Sequence, residues 1–118
     1  LVRADAIVTA LLAKADRNAN IDTQTASFTV GTTHVDKVIV MNNGASNITI
    51  TIPTDAANDL PIGTQLAVIR NGSGTVTFAS AATILSDGSK KQIKAQYTSA
   101  AVIKIAANTW QLVGNLAA

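Results

Sequence analysis

Two zones of the chain differ in how apolar and polar residues alternate. In the first, A-D-A-I-V-T-A-L-L-A-K-A-D from Ala4 to Asp16, the apolar residues Ile7, Val8, Leu11, Leu12 and Ala15 recur at helical spacing. Asp5 near its start and Lys14 near its end suit a helix dipole, and polar residues from Asp16 to Asn20 close it. This predicts a short α-helix. A helix of about three turns is marginal alone in water. Its apolar stripe is therefore expected to dock on the rest of the domain, on sister copies or on a partner.

The second zone is written in period two. S-F-T-V (Ser27 to Val30), V-D-K-V-I-V-M (Val35 to Met41), N-I-T-I-T-I (Asn47 to Ile52) and Q-L-A-V-I-R (Gln65 to Arg70) predict strands. Val76 and Phe78 follow as inward positions of another. Ile48, Ile50 and Ile52 point one way and Thr49 and Thr51 the other, until Pro53 stops the ladder. Thr54 to Gly63 predicts a loop, and Asp87-Gly88 a turn. Near the C-terminus, Ile93, Ala95 and Tyr97 form one face, Ile103 and Ile105 another, and Trp110 and Leu112 a third. That alternation makes Trp110 and Tyr97 core residues and turns Lys94 and Lys104 outward. Short strands at roughly ten-residue spacing predict a mainly β protein: a single small antiparallel β-sandwich or barrel-like module preceded by the short N-terminal α-helix. No strict internal repeat is visible, which argues against a solenoid or propeller. The expected division is residues 1–26 as helix and linker, for attachment or trimerisation, and 27–118 as the β module.

Composition sharpens this picture. At 118 residues and 47% hydrophobic, the chain has one domain's length and enough apolar mass for a core. Only 14% is charged, about half the usual share, so part of the surface is expected to be buried against copies or a larger assembly. All seven acidic residues are Asp, which favours turns over helices. A net charge of +2 without a basic stripe gives no reason to expect nucleic acid. With no cysteine, packing or oligomerisation must hold the fold. No apolar run reaches the about 20 residues of a membrane helix. A chain that starts at Leu1 rather than Met is expected to be a trimmed piece of a longer product.

Candidate chemistry is sparse. N-G-S-G-T-V-T-F, Asn71 to Phe78, has the glycine density of a phosphate loop. However, Gly72 and Gly74 are separated by Ser73 alone, no Lys follows, and the next element is a strand. It is expected to be a hairpin bend whose glycines supply positive φ. His34 is the single histidine, too few for a zinc site of His and Cys, and no G-x-S-x-G supports a triad around it. It is expected at the surface, near a strand start. Asp55, Asp59 and Asp87 are the candidates for paired carboxylates, but all lie in turn-like sequence. Lys90, Lys91, Lys94 and Lys104 make a basic cluster expected to blunt an edge or solvate a face.

An ordered series of pieces adds to this reading. V-I-V-M-N-N-G is followed by I-T-I-T-I-P and L-P-I-G-T-Q-L-A-V-I-R-N-G-S-G-T-V-T-F. Then come A-A-T-I-L-S-D-G, K-A-Q-Y-T-S-A-A-V-I-K-I and T-W-Q-L-V-G-N-L. From Val38 to Ala118 the chain resembles a β-rich module of tailed-bacteriophage head-fibre, head-decoration and tail-fibre proteins. The resemblance implies a non-enzymatic virion subunit, typically homotrimeric, without cofactor or metal, assembled in the bacterial host cytoplasm. Its implied partners are the major capsid protein or another virion protein, with no nucleic acid and no membrane. Ile7, Val8, Leu11 and Leu12 are the expected attachment or interface residues. The alternative is a tail-fibre or receptor-binding module that takes a host-surface glycan through Thr54 to Pro61 or Asn71 to Thr75, with Tyr97 or Trp110.

Overall fold

The computed structural model describes residues 20–118. The predicted helix, with Ile7, Val8, Leu11 and Leu12, lies outside them. The strands are β1 (Asn20–Gln24), β2 (Phe28–Thr29), β3 (Lys37–Met41), β4 (Ile48–Ile52), β5 (Gln65–Arg70) and β6 (Val76–Ser80). They continue with β7 (Thr83–Leu85), β8 (Gln92–Ile93), β9 (Ser99–Ala106), β10 (Thr109–Gly114) and β11 (Leu116–Ala117). A single 3₁₀ turn covers Asp87–Ser89.

Consecutive strands do not pair as hairpins over the first half of this fold. Sheet A has the order β1-β3-β5-β9-β10-β7, and sheet B the order β11-β8-β6-β4-β2. The pairs β1–β3, β3–β5, β2–β4 and β4–β6 are all parallel. Each coil of chain therefore lays one strand in sheet A and one in sheet B, then rises to the next level. Three such coils stack as a short β-solenoid. Beyond β6 the chain reverses, and β8, β9, β10 and β11 close the stack with antiparallel pairs, with β7 parallel to β10 at the edge.

This corrects the expected antiparallel sandwich or barrel and the argument against a solenoid. The physical reason is that the coils have unequal lengths. Ile21 stacks on Val38, whereas Val38 stacks on the much more distant Ala67, because a long loop is inserted between β4 and β5. The repeat is in space, with no fixed sequence period. Once the coils are aligned it becomes faintly visible: N-G-A-S-N-I-T-I of the second coil lies beneath N-G-S-G-T-V-T-F of the third.

The core lies between the sheets. In sheet B, Phe28, Ile50 and Phe78 form one rung, and Ile48 stacks on Val76. In sheet A, Ile39 stacks on Val68, with Leu66, Val102, Trp110 and Leu112 above, all essentially buried. The first coil ends differently, since the inward side chains of edge strand β1 include Asp22 and Gln24, hydrogen-bonded to each other at 2.9 Å. An inward-pointing charge on an edge strand discourages further strand addition there.

Candidate functional surfaces

The loop from Pro53 to Thr64 is fastened by Lys104. This residue stands inward on β9 between Val102 and the hairpin to β10, and is 2% exposed. Its Nζ donates to Asp55 Oδ1 at 2.7 Å, to Asp59 Oδ1 at 3.2 Å and to the Leu60 carbonyl at 2.6 Å. All three ammonium protons thus have acceptors. Asp55 also accepts from the Asn108 backbone N–H at 3.1 Å, and its own N–H donates to Asn108 Oδ1 at 2.8 Å. The sequence expectation placed Lys104 outward. The structure reverses it because β9 is apolar on both faces, so alternation alone did not fix its direction.

The hydrogen bond from Lys104 holds the Asp55 carboxyl below its usual 3.8, against an opposing push from burial. The hydrogen bond to Asp55 in turn holds the Lys104 ammonium above its usual 10.5. Asp55 therefore contributes stability that is present above about pH 4 and lost as pH falls through its lowered pKa. Lys104 contributes stability that is present below about pH 10 and lost as pH rises through its raised pKa. Asp55→Ala, which leaves an ammonium buried without its nearer carboxylate, is expected to lower the melting temperature more than Lys104→Met. Asp59→Ala, at a position 77% exposed, is expected to lower it least. A thermal scan of the three variants at neutral pH checks that order.

This clamp also accounts for the candidate carboxylates. Asp55 and Asp59 converge on one ammonium rather than facing each other across a cleft, and Asp87 sits apart in the 3₁₀ turn. Among the described residues, no three His, Asp, Glu or Cys side chains gather as a metal set. His34 is half-buried in the loop between β2 and β3, where Nδ1 accepts from the Gly31 N–H at 2.9 Å and the ring packs on Phe28 at 4.6 Å. Lys94 is exposed, as expected.

The opposite edge of the solenoid is made of short stacked corners. Asn71 to Thr75 lies directly on Asn42 to Asn47: Gly74 N–H donates to the Gly44 carbonyl at 2.8 Å, Thr75 N–H to Asn47 Oδ1 at 3.0 Å, and Ile48 N–H to the Thr75 carbonyl at 2.9 Å. The predicted hairpin bend is thus a solenoid corner, since β5 and β6 belong to different sheets. Its glycines serve close approach rather than positive φ. A Cβ at Gly72 would stand 2.6 Å from the Gly44 carbonyl oxygen, and one at Gly74 would overlap the backbone of Ser46. The next level of this edge is the turn from Lys94 to Thr98, where the Tyr97 N–H donates to the Arg70 carbonyl at 2.6 Å and Gln96 Nε2 to the Asn71 carbonyl at 3.1 Å. Trp110 is a core residue as expected, but Tyr97 is 73% exposed. The inward alternation ends at Ile93 because the strand ends there.

The outward faces of the two sheets differ sharply. Sheet B presents threonines: Thr29 beside Thr51, and Thr49 beside Thr77. Sheet A presents a continuous apolar row across five strands, Ile21–Val38–Ala67–Ala101–Val113, with Val40, Ile69 and Ile103 alongside. No Asp, Lys or Arg takes an outward position on β1, β3, β5, β9 or β10. Asp36 and Lys37 stand only at the rim of a shallow groove over Val38, Ala67 and Ala101. The sequence signal was present: V-I-V, L-A-V-I and A-A-V-I are apolar at both parities, as strands covered on both faces are.

No family model matches the chain, and no curated protein matches it. Among the described residues, no helix is long and apolar enough to cross a membrane.

Proposed function

We propose that this chain is a structural subunit of a bacteriophage particle, a capsid-decoration or head-fibre protein that acts by binding and assembly. The observation that carries this reading is the uncharged apolar outward face of sheet A, which we assign to contact between copies. A sheet with such a face calls for a cover. A face without charge has nothing to match to a charged partner surface, whereas identical copies can pack on it without like-charge repulsion. Three copies around an axis suit the resemblance to trimeric phage modules. Ile7, Val8, Leu11 and Leu12 then serve as the attachment stripe toward the shell, with the major capsid protein or another virion protein as partner.

Light scattering tests this. The wild type is expected near three times the chain mass of 12.1 kDa. Ile21→Lys with Val113→Lys is expected to yield a folded monomer, since these side chains are 62% and 43% exposed and are not needed for the core. A monomeric wild type, or a double variant that remains a trimer, would refute the assignment of this face.

A further inference from the structure

Ile62 is presented to solvent in a way that the core does not require. Among the exposed large apolar residues, Ile21, Leu85, Ile105 and Val113 lie on strands of sheet A, whereas Ile62 and Tyr97 stand in turns. Ile62 is 66% exposed, at the top of a turn that is fixed on both sides. Leu60 before it and Thr64 after it are buried. Thr64 closes the turn, donating to the Pro61 carbonyl from Oγ1 at 2.6 Å and from its N–H at 3.1 Å. The Gly63 N–H donates to the Lys104 carbonyl at 2.7 Å, and Lys104 Nζ ties down the Leu60 carbonyl. The clamp thus holds an isoleucine out in water on a backbone with little freedom left to lose. An apolar side chain ordered in advance is what an anchor for a partner surface needs.

The groove over Val38, Ala67 and Ala101 is its complement. Ala67 and Ala101 stand side by side, and their small side chains leave the outward face of sheet A lower there than at Val38, Ile69 and Ile103. Gln65, which also lines the groove, follows Ile62 by three residues, and Gly63 is bonded to β9, the strand that carries Ala101. Knob and groove therefore lie at one level of the stack, one on the edge and the other on the adjoining face. Two copies joined through them need no shift along the stack, so the contact can close into a ring instead of climbing into a filament. The two patches differ, and a threefold ring requires such a heterologous contact. The rim charges agree with this. Asp59, three residues before Ile62, is largely exposed, and Lys37 on the groove rim forms no ion pair among the described residues. Asp36 shares that rim, which steers an incoming carboxylate to the Lys37 side. We infer that Ile62 of one copy seats in the Val38–Ala67–Ala101 groove of the next, with Asp59 beside Lys37 in the polar rim of the contact.

Such a joint rests on the proposed contact between copies and specifies which parts meet. The chain has no cysteine, so introduced thiols report the joint without background. Co-expressed Ile62→Cys and Ala67→Cys chains, mildly oxidised, are expected to give a covalent dimer on a non-reducing gel that neither chain gives alone, because a disulfide needs Cα atoms within about 7 Å. Ala101→Cys in place of Ala67→Cys probes the other alanine of the groove. Adding Lys37→Glu to the groove chain should lower the dimer yield. Ile62→Asp should weaken association about tenfold or more, with an unchanged circular-dichroism spectrum. A wild type that is trimeric by light scattering but gives no dimer with either alanine position would overturn the joint and leave the assembly reading standing. Undiminished association of Ile62→Asp would overturn the joint as well, and an undiminished yield with Lys37→Glu would overturn its pairing with Asp59. A monomeric wild type would overturn both the joint and the assembly reading.

Discussion

Gly74→Ala is expected to destabilise the protein by about 3 kcal/mol, at the upper end of what overpacking costs. The added methyl would occupy the space of the Ser46 backbone in the coil beneath, and no flexible side chain there can yield. Relief requires lifting the third coil from the second, which breaks the bond from Gly74 to the Gly44 carbonyl and the neighbouring bond from Ile48 to Thr75. Gly44→Ala is the informative comparison. Gly44 has φ +57 with nothing within 4 Å of its would-be Cβ, so its cost is conformational only, about 1 kcal/mol. Urea denaturation should therefore rank Gly74→Ala well above Gly44→Ala. Equal losses would mean that the corners are not stacked.

Ile50→Ala should also be severe, at about 3–5 kcal/mol, in the upper part of the range for deleting a buried aliphatic side chain. Ile50 is fully buried as the middle member of the rung Phe28–Ile50–Phe78. Its neighbours above and below are fixed by parallel hydrogen bonding, so the cavity cannot close by sliding one coil toward another. A domain of this size should lose more than about 10 °C of melting temperature. Thr51→Ala, one residue along and exposed on the opposite face, should change stability by no more than about 0.5 kcal/mol.

Local structure was largely legible in the sequence, while topology was not. The alternation of I-T-I-T-I gave β4 its bounds and its buried face, and Pro53 ended it as expected. Q-L-A-V-I-R gave β5 its bounds. Period two, however, reports which side chains share a face and nothing about which strand lies alongside. Parallel stacking of coils and antiparallel hairpins produce the same alternation. Asn71 to Gly74 resembled a hairpin turn because corners and hairpins both use small residues, the one for close approach and the other for positive φ. Lys104 was misdirected because Ile103 and Ile105 are as apolar as the inward Val102. Its partners Asp55 and Asp59 lie far off in sequence and become its acceptors only when the inserted loop folds back over β9. Tyr97 was carried into the core by extending the alternation of Ile93 past the end of β8.

The clamp, the stacked corners, the uncharged face and the Tyr97 turn all depend on parallel stacking of the coils. The most direct measurement is a nuclear Overhauser spectrum of the labelled protein. Parallel stacking predicts side-chain contacts from Phe28 to Ile50 and from Ile50 to Phe78, together with backbone contacts that place Val38 beside Ala67. Backbone contacts pairing β5 with β6 across the Asn71 corner, as in an antiparallel hairpin, would contradict it.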